Sequence, residues 1–498
     1  MAAHRVVIVG AGIAGLVAAV AAAARGLEVT VLERAALPGG KLREVSIGTQ
    51  RLDAGPTVFT LRSVFDELFA LAGASLDDYV TLQPAEILAR HTWTGEECLD
   101  LFADVNRSAD AIGKFAGAAE ARRFLEFTAR SRRIYRTLEN SFIRAATPSP
   151  LHLVREAGLH GMANLLHISP FVSLWNALGK HFHDARLQQL FGRYATYCGS
   201  SPYLSPATLM LVAHVEQAGV WYVEGGMYRI VAALEKLALH LGVRFKYNAD
   251  VSEVFVRHGR TAGVRLVDGE QIDAPVVLLN ADIAAVSTGR FGAAIASAAP
   301  RIAPQNRSLS AYTWNLVAET QGFPLLRHNV FFSRDYAAEF KDMFNRRRSP
   351  RVPTVYVCSQ DRGDAAPALP AGPERLLCLT NAPPTGDHPS ANPLETQRCL
   401  ERMLATLTRC GLTLRGSQEQ TVTTTPQDFN RMFPASGGAL YGLASHGWQA
   451  SFRRSGPRSA IPGLYFAGGS IHPGPGVPMA AHSGQRAAHL LARDLGLM

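Results

Sequence analysis

Gly10, Gly12 and Gly15, followed by Glu33, are the residues whose types and spacing point most directly to chemistry. A Gly-x-Gly-x-x-Gly turn allows a tight bend, a close approach of backbone to ligand, and close packing of a helix on a sheet, in that order. N–H groups and the dipole at the following helix N-terminus favour a pyrophosphate. Glu33, about twenty residues on, is spaced to accept hydrogen bonds from ribose hydroxyls and would repel a 2′-phosphate. The pattern predicts a bound dinucleotide, FAD or NAD rather than NADP.

Such a site needs a strand, a helix and a second strand to position it. Val6 to Val9 is a β-branched apolar run suited to a buried parallel strand. Residues 13–25 are nearly all Ala, Leu and Val and read as a helix stopped by Arg25-Gly26, with a second strand from Glu28 to Leu32. Residues 5–24 are apolar enough to suggest a membrane span, but the clustered glycines and the lack of a stop-transfer pattern argue against one. Flexible backbone recurs at Leu37-Pro38-Gly39-Gly40-Lys41 and at Asp53-Ala54-Gly55-Pro56-Thr57.

From about residue 62 to 220 the pattern is mostly helical, as in Arg122 to Leu138. A helix is expected from Tyr228 to Leu241, then strands at 243–247, 251–257, 261–266 and 274–279, the middle two joined at Arg257-His258-Gly259-Arg260. Further strands are expected at 354–357 and 376–379. Near the C-terminus an apolar strand runs into Gly468-Gly469-Ser470-Ile471-His472-Pro473-Gly474-Pro475-Gly476-Val477-Pro478 and then an alanine-rich helix. This second loop also presents backbone N–H groups to an electron-rich ligand. Two such loops at opposite ends of the chain fit a long cofactor, FAD better than NAD. The expected fold class is α/β, with a Rossmann-like FAD-binding domain (1–61, 221–304 and 416–498) and an inserted α+β substrate domain (62–220 and 305–415).

The 498 residues carry 50 Lys and Arg against 41 Asp and Glu, for a net charge of +9. No zinc-finger, RNA-recognition or basic-zipper pattern accompanies the arginines, so nucleic acid is not an expected partner. The basic surplus suits either ordinary solvated arginines or an anionic membrane surface. Six cysteines without CxxC spacing read as reduced thiols. A strand so close to Met1 leaves no room for a secretory signal, so the protein is expected on the cytoplasmic side.

The motifs at 10–15, 39–41, 53–57 and 466–478 together resemble the bacterial phytoene desaturase family of carotenoid oxidoreductases, end to end. Gly-Pro-Thr-Val-Phe-Thr at 55–60 with Arg62-Ser63-Val64-Phe65 is most similar to the hydroxyneurosporene (1-hydroxycarotenoid 3,4-) desaturases within it. The resemblance implies a fold like the flavin-containing amine oxidases and GDP-dissociation inhibitors, non-covalent FAD, and an acyclic carotenoid drawn from the inner or photosynthetic membrane. It also implies membrane-surface contact, with a quinone or oxygen as electron acceptor. It places Glu33 on the adenosine ribose, Lys41 near the cofactor, Gly55 and Pro56 along the flavin, and Val251 on the adenine side. Gly469, Gly476 and Val477 meet the pyrophosphate and flavin; Ala14, Gly40, Thr57, Asn280, Leu440 and Gly468 complete the implied cofactor contacts. Ser470 and Pro475 stand where relatives often have Thr and Ala, which backbone contacts should tolerate.

Desaturation of a polyene needs a hydride acceptor, and flavin N5 is one; a weak base or water then suffices for the proton. No catalytic dyad, Walker A, HExxH or GxSxG motif is present. His472 suits a loop-shaping hydrogen bond or a proton relay, and Asp53 suits orientation of the Gly-Pro-Thr loop or a general base. His181 and His183 lack an accompanying carboxylate cluster, and no metal is expected. Phe171, Trp175, Tyr194, Tyr197, Trp221 and Tyr222 suit either a polyene tunnel or helix packing. Residues 158–182 suit a membrane-dipping element or a buried helix. A phytoene-type desaturase, a flavin amine oxidase and a non-catalytic lipid carrier are the competing functions.

Overall fold

The computed structural model describes residues 5–145, 169–363, 372–388, 393–416 and 418–497. β1 (Arg5–Val9) lies at the centre of a five-stranded parallel sheet, flanked by β2 (Glu28–Leu32) and by Val276–Leu279, with Arg244–Lys246 and Leu464–Phe466 at the edges. Val6, Val7, Ile8 and Val9 are all buried, as a strand covered on both faces requires. One face carries α1 (Ile13–Ala23), Tyr228–His240 and the C-terminal helix Val477–Asp494. Small side chains let α1 and the C-terminal helix approach so closely that a Cβ at Gly484 would stand 2.2 Å from the Ala14 carbonyl oxygen. The other face packs on a three-stranded antiparallel sheet, Val251–Arg257, Arg260–Leu266 and Gln271–Asp273. Its first hairpin turns at His258 and Gly259, both with positive φ.

A second, larger sheet is mostly antiparallel. Its order is Leu412–Arg415, Ser310–Gly322, Glu374–Ala382, Val355–Ser359, His328–Phe331, Ile87–Thr92, Cys98–Phe102. The last two strands lie within the stretch whose pattern reads as helical. They are short and carry Arg90, His91 and Asp100, so apolar alternation is interrupted, and Ile87–Thr92 is held by parallel pairing to the distant His328–Phe331. Helices including Ala118–Leu138, Leu174–His181 and Ala185–Gly192 cover one side, around a cluster of Phe124, Phe127, Phe182 and Phe191. Of the proposed membrane-dipping segment, residues 158–168 lie outside the described residues. The remainder includes Leu174–His181, whose Leu174, Ala177 and Leu178 are buried. No helix among the described residues is long and apolar enough to cross a membrane.

Candidate active site

A cavity of ≈ 990 Å³ runs from the glycine turn after β1 to the helices over the larger sheet. That lies at the upper end of the size range for ligand sites. At one end Gly10 has φ 99°, and a Cβ on Gly15 would stand 2.0 Å from the Gly10 carbonyl oxygen. Only glycine fits this turn. Asn280 holds it to the C-terminal strand: Oδ1 accepts from the Gly15 N–H (3.0 Å) and Nδ2 donates to the Ala467 carbonyl (3.1 Å). Glu33, 7 % exposed at the end of β2, accepts from the N–H groups of Ala11 (2.7 Å) and Ala35 (2.8 Å), so the turn orients its carboxylate.

The second strip of the cavity is built from loops that cross the first. Gly39 donates its N–H to the Ala11 carbonyl (2.8 Å) and Gly40 has φ 59°. A Cβ on Gly55 would stand 2.0 Å from the Lys41 carbonyl. Lys41 Nζ donates to the Leu440 carbonyl (2.6 Å), and burial lowers its pKa from the ordinary lysine value, opposed by the Asp282 charge. In the C-terminal loop the Gly468 N–H donates to Ser483 Oγ (3.1 Å), and Ser470 Oγ accepts from the Ile283 N–H (3.1 Å). Ser470 thus serves a backbone contact that its hydroxyl suffices to make. Val251 lines the cavity while its carbonyl accepts from Arg290 Nη1 (3.0 Å). Pro56, Thr57, Gly469, Pro475, Gly476 and Val477 also line it.

These residues fit a flavin dinucleotide. α1 and Val477–Asp494 both start at glycines, Gly12 and Gly476, with no side-chain cap and no acidic residue in the first turn. Both termini border the cavity, as an anion would require. Asp282 borders it too, and its Oδ2 is buried without a hydrogen-bond partner in the protein, an acceptor suited to a polyol hydroxyl.

Two candidates stand elsewhere. Asp53 lines a smaller cleft and not this cavity. Its carboxylate accepts from the N–H groups of Met227 (2.7 Å) and Tyr228 (3.1 Å), at the start of Tyr228–His240. Burial raises its pKa and those N–H groups oppose the rise, so it positions a helix rather than facing substrate. His472 lies behind the C-terminal loop with Nε2 2.8 Å from the Phe142 carbonyl. Because a carbonyl only accepts, Nε2 carries the hydrogen, and Nδ1 is buried without a protein partner. Burial holds its pKa down to about 4. His181 Nε2 is 2.9 Å from Arg130 Nη1, and the His183 N–H donates to Glu120.

Of the six aromatic candidates Tyr197 lines the cavity. Trp175 packs on Tyr203, Trp221 lies under Arg62, Tyr222 neighbours His328, Tyr194 packs on Tyr197, and Phe171 meets Trp448 at the rim. Arg454, which in the sequence is merely half of a basic pair, is 5 % exposed and donates to the carbonyls of Tyr441 (3.1 Å), Leu443 (2.6 Å) and Gly469 (3.3 Å). It fastens the C-terminal loop to the 441–443 segment. Beyond that loop the wall is mainly apolar, including Leu138, Ile143, Val212, Val215, Leu377 and Leu379.

A Rossmann-like sheet, two uncapped helix ends on one cavity and a buried glutamate lining the same cavity define a flavin dinucleotide-dependent oxidoreductase. The chain belongs to the flavin-containing amine oxidoreductase family, whose model matches residues 13–492, and FAD is its cofactor. It is 53 % identical to a hydroxyneurosporene desaturase of Rubrivivax gelatinosus, over 99 % of this chain and 94 % of the relative. It is 42 % identical to one of Cereibacter sphaeroides, over 99 % and 98 %. Among solved structures, a wild-type putrescine oxidase bound to putrescine superposes with a TM-score of 0.59 at 16 % identity, covering 98 % of this chain and 99 % of the other, a likeness of fold.

Proposed function

We propose that the protein is an FAD-dependent desaturase that introduces a C3,4 double bond into an acyclic 1-hydroxycarotenoid such as 1-hydroxyneurosporene. The similarity to the Rubrivivax relative along nearly the full chain carries the proposal. The apolar outer part of the cavity supports it, because a polyene offers little besides hydrocarbon to bind. Bound FAD supplies the hydride acceptor. The glycine turns and Glu33 hold the dinucleotide, Arg454 fixes the loop that borders it, and the apolar wall orients the chain and excludes water.

Peripheral membrane contact is part of the same proposal. Phe171 is 78 % exposed and Trp448 40 %, with ring centroids 5.5 Å apart, and both Trp448 and Pro170 line the cavity. An exposed aromatic pair at the rim suits the headgroup region from which a lipophilic substrate enters. A quinone or oxygen is the proposed electron acceptor.

The test is incubation with liposomes carrying either 1-hydroxyneurosporene or phytoene, followed by chromatography and visible spectra. A red shift of the hydroxylated carotenoid alone is expected. Conversion of phytoene would move the enzyme to an earlier step, and conversion of neither would overturn the desaturase assignment.

A further inference from the structure

The outer cavity is not uniformly apolar. Arg193 and Tyr197, on Arg193–Cys198, and Glu216, on Leu211–Gln217, face it together. Arg193 Nη1 donates to the Tyr197 hydroxyl (3.1 Å), and Glu216 Oε2 accepts from the Tyr194 hydroxyl (2.6 Å). Tyr197 also favours the charged form of Glu216, so one phenol couples the cation to the carboxylate. The guanidinium lies 5.3 Å from the Tyr197 ring centroid and 5.5 Å from that of Tyr356. Hydrocarbon substrates have no use for such groups, and lining an apolar cavity with them costs desolvation energy.

We infer that Arg193, Tyr197 and Glu216 form a subsite for the tertiary hydroxyl of the substrate and set the enzyme's preference for a hydroxylated end group. The inference rests on the hydroxycarotenoid assignment above. An alcohol is both donor and acceptor. Its O–H meets the carboxylate of Glu216, and its oxygen accepts from a remaining N–H of the Arg193 guanidinium. Burial raises the Glu216 pKa, while Tyr194, Tyr197 and Arg193 favour the charged form. An end group without the hydroxyl would dehydrate these groups and leave the remaining guanidinium donors and carboxylate acceptor sites unsatisfied, the circumstance in which discrimination is greatest.

Position along the substrate agrees. The hydroxyl-bearing C1 is separated from C3 by a single methylene, so a hydroxyl subsite must lie near the cofactor. Tyr356, beside Arg193, has its hydroxyl 2.7 Å from Thr57 Oγ1 in the Gly55-Pro56-Thr57 loop. Tyr356 lines the same cavity, and its hydroxyl is also 2.7 Å from His328 Nδ1.

The experiment compares kcat/KM for 1-hydroxyneurosporene and for the same carotenoid lacking the hydroxyl, both in liposomes, with FAD content measured for each preparation. The wild type is expected to prefer the hydroxylated substrate by on the order of 10³-fold or more. Glu216→Leu and Tyr197→Phe should each lower kcat/KM for the hydroxylated substrate by about 10²-fold and leave the other within about threefold, so the preference collapses. Tyr197→Phe removes one oxygen and keeps the ring, so it tests the subsite even where Glu216→Leu fails to fold. Equal losses on both substrates, a preserved preference, or a wild type without preference would overturn the subsite while leaving the desaturase assignment intact. A wild type inactive on both overturns that assignment and the subsite with it.

Discussion

The two ends of the cavity are built on different principles. At the dinucleotide end the wall is largely backbone, and a Cβ on Gly10, Gly12, Gly15 or Gly55 would come within 2.0 to 2.9 Å of a neighbouring oxygen. At the substrate end the walls are side chains from the 138–143, 193–216 and 377–379 segments, where an apolar one is replaceable by another of similar bulk. Backbone-built sites tolerate almost no substitution; side-chain-built sites trade shape for specificity.

Gly15→Val should be the most damaging probe of that contrast: its Cβ would meet the Gly10 carbonyl, and flavin absorbance in the purified protein should fall to background. Glu33→Arg removes the proposed ribose acceptor and installs a cation, and flavin binding should weaken by at least about 100-fold; undiminished flavin content would remove Glu33 from the site. On the substrate side, Val215→Ala should raise KM for the carotenoid about tenfold while flavin content stays at the wild-type level. A loss of flavin in that variant would erase the distinction between the ends.

The smallest effect concerns pH. The His472 pKa is depressed to about 4 from 6.5, so the unfolded chain takes up the proton first as pH falls. Its contribution, at most about 3 kcal/mol, is fully present above pH 6.5 and is lost progressively toward pH 4. The melting temperature should fall by a few degrees across that window, and His472→Gln should flatten the fall.

The same contrast governs what the sequence reveals. β1, α1 and β2 follow from a β-branched run, an alanine-rich helix and three glycines, because a local backbone demand selects residue type locally. The α/β class and the flavin follow from the same features. Asp53 is ambiguous in sequence because its partners, Met227 and Tyr228, are 174 and 175 residues away. Arg454 is indistinguishable in sequence from a surface arginine; the carbonyls it clamps come together only in the folded chain. Glu216 and Arg193 likewise carry no spacing signal, whereas Tyr197 is legible as a candidate aromatic and does line the cavity. The strands Ile87–Thr92 and Cys98–Phe102 are invisible for a related reason, since their apolar pattern is too short to outweigh a helical surrounding.

The close approach of Gly484 to Ala14 has a consequence for biosynthesis. The helix that covers α1 and the strand Leu464–Phe466 that completes the sheet edge leave the ribosome long after β1, α1 and β2. At ordinary translation speeds the N-terminal β1–α1–β2 unit waits on the order of tens of seconds for them. During that interval the alanine-rich face of α1 lacks its cover and the dinucleotide site lacks its second loop. Both loops are needed to complete the dinucleotide site, so a nascent chain stalled before residue 464 should hold no flavin.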